Sequence, residues 1–452
     1  MKPTFRTSLA TLALCVATGA QASTYIVTKT TDSMDGLCDS DCSLREAVQA
    51  ANLHPGSDTI QLAAGRYVLS IPGIDEDNNQ TGDLDLIGQL NIVGVGSATI
   101  IDGGHIDRVF DVPDVAFLKT YALSIVGGNA LNTGGGIRNA GVVELTNTYV
   151  SGNSAPLIRP GTEPHFDPEA MGGGIANSGT LLLENCTVGF NTTDGSGSGI
   201  SNTGTLYLRR STIRNNRTSG AGAGIHNSGS AFIEQSLFVG NFSFDGTAIY
   251  NSGYLELGNS TVSGNSAPIF VGDTPDRIIA AILNSPGGTA KLSFVTITDN
   301  VGGGLLNLGT AALSGALIAG NLSLAYTGEP PDDNDPPNEN VNPPEAYRGV
   351  NCQTGSNYSV RNSLIGLDGN CSGQLYVDNG TVFATLLEPL RLGGGVTASH
   401  KPRRGSVAVD AINPFSAPDA CPALDQRGAH RPPNDDGRRG QYCDIGAYEL
   451  RQ

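Results

Sequence analysis

Three charged residues, Glu184, Arg209 and Glu234, follow one another at intervals of 25 residues. This interval equals one unit of an internal repeat, so stacked units would place the three side chains in one outward column. Two stacked units separate the carboxylates by about 9 to 10 Å, near the separation of the two acids in inverting glycosidases. The same column could instead be a ladder of opposite charges on a solvated sheet face. The sequence is therefore compatible with a polysaccharide lyase or glycoside hydrolase, and also with a column of charged residues that has no catalytic role.

Candidate ligand-binding residues occupy other outward positions of the repeat, at His226, Tyr250 and Tyr207. Tyrosine rings offer an apolar face with a polar edge, which suits stacking on sugar rings. His226 has no recognisable catalytic partner in the sequence, so it is also compatible with a surface histidine. These residues are candidates for glycan contact.

Two acidic stretches could hold calcium, because loops rich in carboxylate oxygens suit this ion. The candidate ligands are Asp75, Asp77, Asp83, Asp85, Asp332, Asp333 and Asp335. Neither stretch has the twelve-residue spacing of a defined calcium loop. Calcium is thus a possible cofactor, and a mobile acidic surface loop is the alternative.

The charge balance of the chain excludes some partners. Among 452 residues, 26 are Lys or Arg and 43 are Asp or Glu, which gives a formal net charge of -17. Such a chain repels phosphate backbones, so we expect no nucleic-acid partner. Polyanionic glycans are disfavoured for the same reason, unless a divalent cation bridges the two surfaces.

The N-terminus has the pattern of a secretory signal peptide over residues 1–22. Lys2 and Arg6 precede an apolar stretch from Leu9 to Val16, and Ala20-Gln21-Ala22 forms a small-residue cleavage site. No later apolar run approaches the ~20 residues of a spanning helix, so we expect no transmembrane segment. We therefore expect a secreted or extracellular protein, and leave association with a bacterial outer membrane open.

An internal repeat dominates the centre of the chain. A phrase of the form small-Gly-Ile-x-Asn-x-Gly recurs with a base period of about 24 residues. Its asparagines are Asn139, Asn177, Asn202, Asn227, Asn251, Asn284 and Asn307. A second phrase, apolar-x-x-Asn, closes each unit. Extra residues enter near Pro156 to Ala170 and Pro268 to Asp276, which are predicted to be loops on one edge.

Between the two asparagines of each unit, the pattern alternates as in short β-strands. Stacked units place equivalent apolar residues in two inward columns, namely Leu145, Leu183, Leu208, Ile233 and Leu257, and Val150, Val188, Ile213, Phe238 and Val262. One unit cannot bury these side chains alone, whereas coils stacked about 4.8 Å apart bury a continuous core. This predicts an all-β protein, a right-handed parallel β-helix of the pectate-lyase-like solenoid type. Its seven repeat asparagines would form a structural ladder at a corner.

Seven cysteines follow the signal, and six fall into local pairs. In an oxidising compartment we expect Cys38–Cys42, Cys352–Cys371 and Cys421–Cys443. A zinc site would need further ligands beside Cys38 and Cys42. Cys186 lies in a column of small inward residues, so we expect a buried thiol.

A capping box, Ser43-Leu44-Arg45-Glu46, predicts a short helix over residues 43–53 that covers the open N-terminal end. The predicted organisation is a signal peptide over 1–22, an N-terminal cap over 23–57, β-helix coils over 58–325, an acidic proline-rich loop over 326–347, and final coils with a disulfide-pinned C-terminal region over 348–452.

Sequence phrases at both ends resemble known families. Cys42-Ser43-Leu44-Arg45-Glu46-Ala47, Gly82-Asp83-Leu84-Asp85-Leu86 and Asp107-Arg108-Val109-Phe110 resemble the secreted bacterial proteins named for the CSLREA motif. Asp425-Gln426-Arg427-Gly428, Arg431-Pro432 and Cys443-Asp444-Ile445-Gly446-Ala447-Tyr448-Glu449 are similar to the C-terminal region of the choice-of-anchor Q family. The central repeats are similar to those of polymorphic outer-membrane proteins. These resemblances imply a secreted or surface β-helix, and the last one implies adhesion.

The leading hypothesis is therefore a secreted or cell-surface β-helix, expected to be monomeric, that binds a polysaccharide or another cell-surface ligand without catalysis. The alternatives are the carbohydrate-active enzyme and a passive spacer. Because β-helices serve all three roles, the site must decide between them.

Overall fold

A computed structural model describes residues 21–74, 76–131, 133–156, 171–267, 279–322, 350–367, 369–372, 375–413, 421–431 and 442–450. The chain is a right-handed parallel β-helix, as the sequence predicts. Each complete coil contributes one strand to each of three long parallel sheets. We name them sheet 1, sheet 2 and sheet 3. Residues 1–20 of the predicted signal peptide, the inserted segments after Pro156 and Ala267, and the acidic loop at 326–347 lie outside the described residues.

Sheet 1 has twelve strands, Thr24–Ile26, Ser57–Gln61, Gln89–Val93, Phe117–Tyr121, Val142–Thr146, Thr180–Glu184, Thr205–Arg209, Ser230–Glu234, Tyr254–Gly258, Thr289–Ser293, Thr310–Ser314 and Tyr358–Arg361. Sheet 2 has twelve, Gly65–Val68, Thr99–Asp102, Ser124–Val126, Tyr149–Ser151, Thr187–Gly189, Thr212–Arg214, Leu237–Val239, Thr261–Ser263, Thr296–Thr298, Leu317–Ile318, Leu364–Gly366 and Leu375–Val377. Sheet 3 has ten, Leu84–Asp85, Phe110–Val112, Ile137–Asn139, Ile175–Asn177, Ile200–Asn202, Ile225–Asn227, Ile249–Asn251, Ile282–Asn284, Leu305–Asn307 and Cys352–Thr354. A fourth, three-stranded sheet at one corner consists of Ser154–Ala155, Thr192–Thr193 and Arg217–Thr218.

The interior includes the two predicted apolar columns. Strand pairing aligns Leu145 with Leu183 and then with Leu208, Ile233 and Leu257, and it aligns the Val150 column in the same way. All ten side chains are buried. The columns are confirmed because the strand-forming part of the unit keeps its length while insertions enter elsewhere, so the same position of every coil lies on its neighbour.

Two ladders of buried asparagine side chains join the coils. In the predicted ladder, each Nδ2 donates to Oδ1 of the next asparagine at 2.6 or 2.7 Å, and the last, Asn307, donates to Thr354. The second ladder comprises Asn153, Asn191, Asn216, Asn241, Asn265, Asn300, Asn321, Asn351 and Asn379. The sequence shows most of these residues as the closing phrase of each unit, but their role as a ladder is a structural finding.

The N-terminal end is covered by the helix Leu44–Leu53, whose capping box joins Ser43 and Glu46. Arg45 is fully buried. Its guanidinium pairs with Asp32 and donates to the carbonyl oxygens of Gly82 and Asp83 at 2.7 and 2.8 Å. The phrase Cys42–Ala47 thus contacts the phrase Gly82–Leu86, and both belong to the resemblance to the CSLREA proteins. The first strand, Thr24–Ile26, pairs with Ser57–Gln61, so the solenoid begins earlier than the predicted residue 58. Three residues are too short to show a strand period.

The C-terminal region does not continue the solenoid after Leu375–Val377. A 3₁₀ turn, Asn379–Thr381, and a π-helical turn, Val382–Leu386, lead into a segment that packs on the outer side of sheet 2. Gln426 accepts from the Thr261 hydroxyl at 2.6 Å, and the backbone N–H of Ala447 donates to Thr296 at 3.0 Å. The motif residues of this region therefore attach it to the coils.

The three predicted disulfides are present, at Cys38–Cys42, Cys352–Cys371 and Cys421–Cys443. Cys186 is a buried free thiol as predicted, and burial raises its pKa to about 12. Within the described ranges, no helix is long and apolar enough to span a bilayer.

His400 makes the stability of the C-terminal region depend on pH. Its ring lies within hydrogen-bond distance of the Ser263 hydroxyl and the Glu388 carbonyl oxygen, and burial lowers its pKa from 6.5 to about 4. Between these values the unfolded chain binds a proton that the folded chain does not, so stability falls as the pH falls from 6.5 to 4. At pH 5 we expect a loss of about 2 kcal/mol from this residue relative to pH 7.5.

The measurement is urea unfolding at both pH values for the wild type and His400→Gln, whose side-chain amide can donate and accept hydrogen bonds but does not titrate. The variant should lose this part of the pH dependence. Parallel pH profiles for the two proteins would contradict the assignment to His400.

Candidate ligand-binding face

The outward side of sheet 1 carries three aromatic rings on consecutive coils, Tyr207, Phe232 and Tyr254. Strand pairing places Phe232 beside Tyr207, and their rings stack with centroids 5.2 Å apart and planes 13° apart. Tyr254 lies diagonally beyond, with its ring 5.6 Å from that of Phe232. Tyr207 is 46% exposed. We call these three residues the aromatic platform. It offers an apolar surface parallel to the long axis of the solenoid.

Polar groups border the aromatic platform. The Tyr254 hydroxyl donates to Glu256 at 2.8 Å, and the Lys291 ammonium lies 5.3 Å from the Tyr254 ring centroid. Sequence reasoning singled out Tyr207 but missed Phe232 and Tyr254. The alternation of inward and outward residues along each strand could have identified Phe232, because this residue occupies the same outward position as Tyr207.

Glu184, Arg209 and Glu234 lie in adjacent positions of one outward column, as the repeat spacing predicts. Their contacts differ from those expected of two acids that share the arginine between them. Glu184 forms an ion pair with Arg210 rather than Arg209, and Arg209 donates to Gln235 at 3.4 Å. Arg210 has a positive φ of 49° at the corner that follows its strand. The turn there redirects the chain, which the repeat pattern does not reveal.

Glu234 is half-buried where the C-terminal region meets the coils. Its Oε1 accepts from the Asn259 amide at 2.8 Å, and the adjacent Gln235 donates to the Asp425 carbonyl at 2.8 Å. Burial raises the pKa of Glu234, while nearby Arg209 opposes the shift. The two glutamates therefore have different surroundings, one beside a cation and the other partly desolvated.

His226 and Tyr250 are neighbours on the outward side of sheet 3. Their rings stack with centroids 4.9 Å apart and planes 5° apart. Tyr250 also packs against Leu283 and Leu306. His226 is half-buried rather than a surface histidine, and burial lowers its pKa. These contacts leave less ring surface for a ligand than the aromatic platform does.

Several acidic candidates converge at the N-terminal end of sheet 3. Ligand oxygens of Asp77, Asp85 and Asp111 lie within 4.8 Å of one another, and Asp83 lies nearby. Burial, reinforced by neighbouring carboxylates, raises the pKa of Asp85 to about 8. Burial also raises the pKa of Asp83, to about 7.

Asp111 was not a sequence candidate. The other candidates, Asp75, Asp332, Asp333 and Asp335, lie outside the described residues.

A groove of about 500 Å³ lies at the corner formed by the fourth sheet. It is lined by Thr193, Arg217, Phe242 and Phe244 among other residues, and the Arg217 guanidinium lies 4.1 Å from the centroid of the Phe242 ring. The groove adjoins Pro156, where the described chain is interrupted.

Comparisons with known proteins add little beyond architecture. No family model matches the chain, and no curated protein matches it. The crystal structure of pectate lyase Pel9A is similar at 11% sequence identity, with a TM-score of 0.45 over 96% of this chain and 98% of the lyase chain. The fold and the exposed aromatic platform define the chain as a parallel β-helix protein with a candidate ligand-binding face.

Proposed function

We propose that this protein is a secreted or cell-surface β-helix that binds a polysaccharide along sheet 1 without cleaving it. The observation that carries the proposal is the aromatic platform, whose three rings lie on consecutive coils on the outside of a flat sheet. Coils repeat every 4.8 Å or so, so the rings form a line suited to an extended chain of sugar rings.

The charges favour a neutral polysaccharide. The net charge of -17 disfavours a polyanionic chain, and the acids near the platform have local partners. Glu184 pairs with Arg210, while Glu256 accepts from Tyr254 and lies beside Lys291 in the strand register. A neutral glycan would stack on the aromatic platform and form hydrogen bonds while these contacts between charged side chains stay intact.

Secretion rests on the disulfides and the signal pattern. Three disulfides are typical of an oxidising compartment. The signal pattern at residues 1–22 and the resemblance to surface β-helices agree with export. Attachment to a bacterial outer membrane belongs to the same proposal and needs a fractionation experiment.

The second candidate function is a carbohydrate-active enzyme with Glu234 as the acid. The raised pKa of Glu234 favours it, since a general acid must hold its proton near the working pH. Two observations disfavour the enzyme. The second carboxylate, Glu184, forms an ion pair with Arg210. Glu234 lies where the C-terminal region contacts the coils through the adjacent Gln235. We therefore place binding before catalysis.

Removing one ring of the platform is expected to weaken polysaccharide binding. Tyr207→Ala and Phe232→Ala should each raise the Kd about tenfold, because one aromatic contact contributes up to about 1.5 kcal/mol. The measurement is retention on a panel of neutral polysaccharides, followed by calorimetry with the best ligand. Tyr149→Ala is the matched control, since Tyr149 is 43% exposed but lies on sheet 2.

Equal losses in the control and platform variants would contradict this location, and no retention of the wild type on any glycan would remove the proposal. The same incubations are assayed for new reducing or unsaturated ends. If they appear and Glu234→Gln abolishes them while Tyr149→Ala does not, the enzyme replaces the binding module.

A further inference from the structure

The N-terminal acidic cluster, which we define as Asp77, Asp83, Asp85 and Asp111, lies where sheet 3 begins. Strand pairing aligns Leu84 with Phe110 and Asp85 with Asp111. Both apolar residues face the core, so both aspartates face outward as neighbours. Asp77 approaches from the preceding loop, and ligand oxygens of Asp77, Asp85 and Asp111 lie within 4.8 Å of one another. A single ion could contact all three.

The cluster is buried and holds more carboxyl groups than guanidinium groups. Asp83, Asp85 and Asp111 are exposed by 0%, 4% and 4%. Two guanidinium groups pair with two of these carboxyl groups, since Arg108 donates to Asp83 at 3.2 Å and Arg138 donates to Asp111 at 2.8 Å. Four carboxylates thus face two guanidinium groups in the described structure. Leaving buried carboxylates uncompensated is costly, so a further cation would stabilise the arrangement.

Two buried oxygens at the cluster point independently to a ligand. Asp83 Oδ1 and Asn79 Oδ1 are inaccessible to solvent and have no hydrogen-bond partner among the described residues. Asp83 lies two residues before Asp85, and hence on the same side of the chain. Asn79 is fixed beside the cluster, because its backbone N–H donates to Asp85 at 2.8 Å and its Nδ2 donates to the Arg45 carbonyl at 2.9 Å. Buried acceptors without donors are rare in folded proteins.

We propose that Asp77, Asp85 and Asp111 bind a Ca²⁺ ion, with the unpartnered Asn79 oxygen beside them available to extend its shell. Carboxylate and amide oxygens in an irregular arrangement suit Ca²⁺, which takes six to eight oxygen ligands at flexible angles. Mg²⁺ demands near-octahedral geometry, and Zn²⁺ prefers nitrogen or sulfur. Asp111 can bridge Arg138 and the ion, because a carboxylate offers about four lone-pair sites. The ion would join the loop between Gly65–Val68 and Leu84–Asp85 to the first two strands of sheet 3.

The test is calorimetric titration of the metal-free protein with CaCl₂, together with thermal unfolding. We expect one binding site and a rise in Tm of about 3 °C at a Ca²⁺ concentration of about 100 times the Kd. Mg²⁺ should give a smaller rise. Asp77→Asn changes an exposed side chain and should weaken binding at least tenfold without loss of the fold. Asp114→Asn, an exposed acid on the following turn, is the matched control and should bind like the wild type.

Asp85→Asn adds a readout that distinguishes ion binding from a packing role. It should abolish the response to Ca²⁺ and raise the Tm of the metal-free protein, because folding no longer requires a buried carboxyl group to take up a proton or lose its hydration. No heat and no shift in Tm up to about 10 mM Ca²⁺ would overturn the proposal. Equal binding by Asp77→Asn and Asp114→Asn would also overturn it. These measurements contain no glycan, so their outcome is independent of the proposed polysaccharide binding.

Discussion

Replacing Asn241 by alanine is expected to lower the free energy of unfolding by about 3 to 5 kcal/mol. Asn241 Oδ1 accepts from both the backbone N–H and the Nδ2 of Asn216, at 3.2 and 3.0 Å. Its Nδ2 donates to the Ile213 carbonyl at 3.0 Å and to Asn265 at 2.9 Å. The substitution leaves the buried backbone N–H of Asn216 without an acceptor and opens a cavity. It also removes one of the two acceptors of Asn216 Nδ2, the other being the Val188 carbonyl oxygen. Each buried group without a partner costs about 1 to 3 kcal/mol.

The measurement is urea unfolding of the wild type, Asn241→Ala and Asn215→Gly. Asn215 is the matched control because it is exposed and has a φ of 52°, which glycine adopts without strain. The control should change stability by less than about 0.5 kcal/mol. A loss below about 1 kcal/mol in Asn241→Ala would mean that water or rearrangement satisfies the ladder.

The second large effect is expected at Arg431, which joins the C-terminal region to the coils. Its side chain is fully buried. Its Nη1 donates to Glu449 at 3.1 Å and to the Asp444 carbonyl oxygen at 3.0 Å. Its guanidinium group lies 4.9 Å from the centroid of the Phe294 ring on the coils. Burial raises the pKa of Glu449 to about 8, so this carboxylate depends on its neighbours. Arg431→Ala should destabilise the region by about 3 to 5 kcal/mol, because it leaves a buried charge without its partner.

Hydrogen exchange followed by proteolysis to peptides would locate this effect. Residues 387–413 and 442–450 should lose protection in Arg431→Ala, together with the sheet 2 strands they cover, while coils before Ser230 keep theirs. Arg391→Ala is the control in the same region, since its ion pair with Glu388 is at the surface and contributes little. Uniform loss of protection along the whole chain would show that the solenoid and this region unfold as one unit.

The solenoid was predictable because its contacts repeat. The recurring phrases align Leu183 with Leu208, and they align the equivalent residues of the other coils in the same way, so one pattern determines many contacts. The C-terminal region has no such repeat. Gln235 contacts Asp425 across 190 residues, and no local pattern encodes this pairing. The sequence therefore predicts the coils and disulfides but not the packing of the described residues after Val377 on sheet 2.

The candidate sites were predictable only in part, for a related reason. The acidic run supplied Asp77, Asp83 and Asp85, whereas Asp111 comes from the following coil and is brought in by strand register. The aromatic platform includes Tyr254, which lies two positions before the register partner of Phe232. Phe232 and Asp111 are direct register partners of Tyr207 and Asp85, so they become visible once the register is known, whereas a diagonal neighbour such as Tyr254 lies outside any column.

Both asparagine ladders have one direction, and this gives the solenoid an electrical polarity. Every side-chain amide donates toward the C-terminal end and accepts from the N-terminal side, so the dipoles align head to tail as peptide dipoles do in an α-helix. The first ladder begins with Asn139 Oδ1, which has no donor within the described chain. Its strand adjoins the one that carries Asp111. The negative end of this dipole array thus faces the acidic coils, and its field makes that end of the molecule the more favourable one for a cation.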